Sequence, residues 1–133
     1  MELSASFGKL VLRLTLGGLL LFHGVAKLQR GVDGIVERVA GTGLPASFGY
    51  LVYVGEVLAP ILLILGLWTR LAALIVAVNM AVAVMLAHTA QLGEVGRSGG
   101  YALELQMFYF LTAVALMFFG GGRFGVGRTG KLD

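Results

Sequence analysis

Four apolar runs divide this chain: Leu10 to Leu28, Phe48 to Leu67, Arg70 to Thr89 and Tyr101 to Gly120. Each is close to the ~20 residues a helix needs to cross the hydrocarbon core of a bilayer. A backbone in lipid has no water to satisfy its polar groups, so runs of this kind are predicted to be helices. Joined by short connections, they predict an all-α, up-and-down four-helix transmembrane bundle that takes up residues 1–133 as one domain. Composition agrees, with 58% of the residues apolar and 13% charged and a mean hydropathy of +0.92, far from the values of a water-soluble domain.

In the first run Lys9 and Arg13 precede a leucine-rich core, which has the look of a secretory leader. Lys27, Gln29 and Arg30 follow it without a convincing small-residue cleavage site, so it is read as a retained first membrane helix. The stretch GVDGIVERVAGTGLP, residues 31–45, looks different. Val32, Ile35, Val36 and Val39 recur at helical spacing with Asp33, Glu37 and Arg38 opposite, and Gly41, Gly43 and Pro45 stop the pattern. Residues 31–43 therefore read as a short amphipathic helix on the membrane surface. The glycine-rich segment 121–133 reads as a flexible tail.

The ten Lys and Arg residues orient the bundle. Six of them (Lys9, Arg13, Arg70, Arg123, Arg128 and Lys131) fall on the side that holds both termini, and four (Lys27, Arg30, Arg38 and Arg97) on the other, diluted by Asp33, Glu37 and Glu94. The excess predicts cytoplasmic termini in the inner, or plasma, membrane. A basic patch with interleaved aromatics is missing, which speaks against nucleic acid as a partner. The chain has no cysteine, so a thiol relay, an iron–sulfur cluster and a thiolate zinc site are excluded within it.

At the outer level of such a bundle lie the end of helix one, the start of helix two, the end of helix three and the start of helix four. Each carries an ionisable residue: His23 and Lys27, then Glu56, then His88, then Glu104. Both histidines and both embedded carboxylates thus share one level. Glu56 lies about two turns inside its span beside Pro60, where a lone carboxylate is costly, so it is expected to contact Lys27 or His23 directly or through water. His23 and Lys27 share a face by their spacing of four, while Arg13, Gly17 and Gly24 form a neighbouring stripe suited to close packing. Ala73, Ala77 and Ala81 form a second small-residue stripe, with His88 on its side. Arg13, near the other end, is expected to meet lipid headgroups. Asn79, about opposite the alanines, is assigned to a neighbouring helix or a second copy of the chain.

Three segments carry a resemblance to a known family: RLTLGGLLLFHGVAKL (Arg13 to Leu28), GEVLAPILLILGLWTR (Gly55 to Arg70) and MAVAVMLAH (Met80 to His88). In order and spacing they resemble the DoxX-like small membrane proteins. The glycine-rich GGGRFGVGR, Gly120 to Arg128, departs from the Gly-Pro-Gly tail typical of that family. The resemblance implies a four-helix fold whose relatives include a membrane subunit of a thiosulfate:quinone oxidoreductase and proteins tied to oxidative stress. By position it implies Arg13, His23, Lys27, Glu56, Arg70 and His88 as the matching polar residues.

The chemistry of these residues suits a redox accessory subunit with a quinone or other small molecule near the outer face. Glu56 and His88 would act as catalytic proton donors and carriers, with His23, Lys27 and Glu104 holding the substrate. Electrons would come from a protein partner, because the Gly-rich tail lacks the strand-turn-helix context of a dinucleotide site. Three other readings stand beside it. The cluster would be a salt-bridge network in a structural anchor. His23 and His88 would ligate a haem iron, although Lys27 repels a cation. Lys27 and Arg13 would line the path of a small anion.

Overall fold

The computed structural model describes residues 2–127 and 131–133. Its described residues form five helices and no extended strand, only one isolated antiparallel bridge between Val95 and Tyr101. Helix α1 is Leu3–Arg30, α2 Asp33–Gly41, α3 Ala46–Leu65, α4 Thr69–Ala87 and α5 Glu104–Phe119. By length and composition α1, α3 and α4 are able to cross a membrane, and α5 is apolar but shorter at 16 residues. This all-helical, lipid-adapted chain is a membrane protein.

The boundaries have local causes. At 28 residues, or ~42 Å at 1.5 Å per residue, α1 starts seven residues before the predicted run. It stops where Gly31 takes φ +84° and donates its N–H to the Lys27 carbonyl. In α2 the Thr42 hydroxyl closes the last turn on the Val39 carbonyl at 2.6 Å. Its apolar stripe is packed: Val32 and Val39 are buried, and Val36 abuts Gly49 at the head of α3. The last helix is shorter than its apolar run, because the preceding loop uses the run's first residues. Tyr101 pairs with Val95, and Ala102 donates to the Glu94 carbonyl.

Helix α3 is irregular in a way that Pro60 explains. It opens with a 3-10 segment, Ala46–Leu51, widens into a π-turn over Val54–Leu58 and continues as α-helix from Ala59. A proline has no N–H to give to the carbonyl four residues back, here that of Glu56. The π-turn absorbs the mismatch, Ala59 donating to the Val54 carbonyl, as such bulges do. The Glu56 carbonyl instead meets the bare Cα of Gly24 in α1, where a Cβ would come within 1.9 Å of it.

The core lies where α1, α3, α4 and α5 meet, with Leu16, Leu20, Leu63, Val76, Ala113 and Leu116 at or near zero exposure. Gly17 packs on the Pro60 carbonyl and Ile64 just as Gly24 packs on Glu56, so the predicted glycine stripe is the α1–α3 contact. Ala73 and Ala77 are buried in the core while Ala81 is exposed. Large apolar side chains such as Phe22, Met85, Phe108 and Phe118 are 72–75% exposed, the pattern of a surface solvated by lipid.

Candidate functional site

Glu56 is 3% exposed at the π-turn of α3, and both of its carboxylate oxygens are engaged. Lys27 Nζ forms an ion pair with Oε1, and Asn79 Nδ2 donates to Oε2 at 3.2 Å. The pair meets the expectation of direct contact between Glu56 and the end of α1. It draws α1, α3 and α4 to one point. Gly55 makes room for the third member, since a Cβ there would lie 2.5 Å from the Asn79 side chain. Tyr53 braces the first, its hydroxyl donating to the Lys27 carbonyl at 3.2 Å. A charge-assisted knot of this kind removes most of the cost of holding a carboxylate among apolar side chains.

The knot forms the floor of a groove of about 740 Å³ between α2, α3 and α4. Its walls are mainly aliphatic, with Val39, Leu51, Val78 and Val82 among them, and Phe48 and Leu44 toward the mouth. Five side chains bring strong polarity to the lining: Lys27, Arg38, Glu56, Asn79 and His88. His88 stands where α4 ends, with Nδ1 2.7 Å from Gln91 Oε1. One ring nitrogen is thereby engaged, which orients the imidazole. A volume of this size, apolar with a few convergent polar groups, is the form that small-molecule sites take.

Not every residue singled out from the sequence lines this groove. His23 is on the α1–α5 side, exposed, its ring edge-on to Tyr109 at 5.9 Å and 84°. Glu104 is exposed in the first turn of α5, its carboxylate beside Gly100. Among the described residues no group of three or more His, Asp or Glu side chains could hold a metal ion.

Two more residues join the groove. Asn79 takes the first of its two expected partners, a neighbouring helix, by turning to α3 within the same chain, while Arg38 lies on the groove edge of α2 rather than only on a polar outer face. The signal for Asn79 was present in its being the sole strongly polar side chain midway along α4. A buried carboxylate has two oxygens to satisfy, and Lys27 supplies one partner only.

Arg13 also departs from expectation. It is completely buried rather than set at the lipid-facing surface, and its Nη1 donates to the Leu63 carbonyl at 3.2 Å. The reason is the early start of α1, which puts Arg13 ten residues inside the helix and against the α3–α4 turn. Arg70 donates from Nη1 to the Met117 carbonyl at the same end.

Over 112 residues the chain is 34% identical to an uncharacterized protein of Haemophilus influenzae, spanning 84% of this chain and 81% of that one. Over 85 residues it is 29% identical to the Bacillus subtilis protein named "Putative oxidoreductase CatD". That match spans 64% of this chain and 63% of the relative, a little under two thirds of its length. No solved structure matches. The family model described as DoxX matches residues 8–89, the stretch that holds Lys27, Glu56, Asn79 and His88, and the chain belongs to the DoxX family.

Proposed function

We propose that the chain is a membrane-embedded redox accessory subunit whose groove receives a quinone or a similar small ring molecule. The observation that carries this reading is the union of an aliphatic cleft with one compact set of proton-bearing groups at its floor. Exposed groove residues such as Leu44, Phe48, Leu51 and Val78 would let an isoprenoid tail leave sideways into lipid. The oxidoreductase name of the Bacillus subtilis relative lends support at the level of reaction class.

A bound quinone would supply a ring that accepts electrons and, with them, protons. The chain's own groups then have distinct parts. His88 donates a hydrogen bond to a ring oxygen from the nitrogen not facing Gln91. Lys27 holds positive charge where negative charge develops. Glu56 exchanges protons while Asn79 keeps its carboxylate oriented. His23, Tyr109 and Glu104 form the aqueous side of the site in this proposal, handing protons toward Glu56 from the α1–α5 seam. The electrons come from a protein partner. In the same proposal α5 completes a four-helix transmembrane bundle, α2 lies along the outer interface of the inner membrane, and both termini are cytoplasmic.

A second reading has its own support, because the Lys27–Glu56–Asn79 knot is closed on itself and would brace a scaffold without any ligand. An oxidised-minus-reduced ultraviolet spectrum of protein in lipid nanodiscs preloaded with a short-chain benzoquinone separates the two. The redox reading expects a quinone difference band that persists after washing and is lost in His88→Ala. An unretained band, or one equal in both proteins, supports the scaffold.

A further inference from the structure

Three buried side-chain polar atoms lack a hydrogen-bond partner among the described residues: Arg13 Nε, Arg13 Nη2 and Thr69 Oγ1. All belong to the end of the bundle opposite Lys27, where the α3–α4 turn meets the glycine-rich segment after α5. The two Arg13 atoms form one edge of the guanidinium. Nη1, on the other edge, is wrapped in backbone. It donates to the Leu63 carbonyl, and a Cβ on Gly66 would come within 2.1 Å of it. Gly125 closes the wrap against Gly66, held by Val126 donating to the Leu65 carbonyl and Gly127 to that of Gly66.

An arginine side chain does not lose its proton in proteins, so a full positive charge lies here at 0% exposure. Among the described residues no carboxylate is within 4.0 Å of it. The residues outside the description, Met1, Arg128, Thr129 and Gly130, include no acid. A buried charge without a counter-ion is among the costliest arrangements in a protein, and the cost is greater beside lipid. The unused edge, Nε with Nη2, is the fork that grips an oxyanion with two parallel hydrogen bonds.

We propose that the Nε–Nη2 edge of Arg13 is a binding site for one tetrahedral oxyanion of the phosphate or sulfate type, at the end of the bundle opposite Lys27. The oxyanion is either free in solution or the phosphate of a lipid headgroup. The site is independent of the groove and of any redox role.

Thermal unfolding of the full chain in phosphatidylcholine nanodiscs tests this, with sodium phosphate or sulfate against sodium chloride at equal ionic strength. Native mass spectrometry of the same samples reads what is retained. A free oxyanion is expected to raise Tm by about 5 °C or more near saturation and to leave a one-anion adduct. Both effects are lost in Arg13→Lys, which keeps the charge but not the fork, and in Arg13→Met, which removes the charge and is expected to fold. If the anion is a headgroup, the retained species is one anionic phospholipid when phosphatidylglycerol is included, again lost in both variants, and added phosphate has no effect. The proposal is overturned if wild type retains neither species and shows no preference for oxyanions, or if Arg13→Lys behaves as wild type does.

Discussion

Removing Lys27 while leaving Glu56 is the perturbation that the knot makes most consequential. In Lys27→Met the Glu56 side chain, 4% exposed, keeps only the 3.2 Å bond from Asn79 and loses its counter-charge. Breaking one side of a buried ion pair costs about 3–5 kcal/mol. The Lys27 side chain is 29% exposed, so part of its charge is already solvated and the lower end, about 3 kcal/mol, applies. For a chain of this length that is a fall in Tm of roughly 10 °C. Glu56→Gln keeps the volume and an oxygen for Asn79 but strands Lys27, which has an open route to water, and is expected to cost about 1–2 kcal/mol. The double variant Lys27→Met, Glu56→Gln removes both charges and should lie within about 1 kcal/mol of wild type, giving a coupling of about 3 kcal/mol or more. The assay is reversible unfolding in detergent or nanodiscs, run as a double-mutant cycle. Additive losses, or a Lys27→Met loss below about 1 kcal/mol, would refute the reasoning.

Gly24→Ala places a methyl group 1.9 Å from the Glu56 carbonyl, so it should cost about 3 kcal/mol or more by forcing α1 from α3; Gly18→Ala, with nothing within 4 Å, should be neutral to stabilising in the same melt. Asn79→Leu leaves one Glu56 oxygen unpaired and should cost about 1–3 kcal/mol, measured by unfolding, while a short-chain quinone binds more weakly even where the fold persists. His88→Ala should weaken that ligand roughly tenfold, the worth of one good hydrogen bond, and His23→Ala much less in the same titration, because His88 lines the groove and His23 does not.

The helices were legible because apolar length in a chain this hydrophobic permits little else, and Lys27 with Glu56 was legible because a carboxylate two turns inside a span requires a nearby cation. The third partner was not. Asn79 sits opposite the alanine stripe, and periodicity alone says that such a face is used without saying by which neighbour. Only the π-turn that carries Glu56, with Gly55 bare beside the Asn79 side chain, brings the two together. Arg13 was misplaced for a related reason. Hydropathy set the start of α1 at the first sustained leucines, whereas Leu3, Ser6 and Phe7 continue the helix, and a residue near an end became one three turns inside. Arg38 shows the limit of a helical wheel, since a residue on the polar face of α2 still reaches the groove edge with a long side chain.

Photolabelling of the chain in nanodiscs with a photoreactive short-chain quinone, followed by peptide mass spectrometry, tests the groove as a ring-binding site most directly. The account expects adducts on the faces of α3 and α4 that line the groove, on residues such as Leu51, Val78 or Val82, competed by unlabelled quinone and reduced in His88→Ala. Adducts confined to the exposed outer faces of α1 and α5, or labelling that excess quinone leaves unchanged, would contradict it.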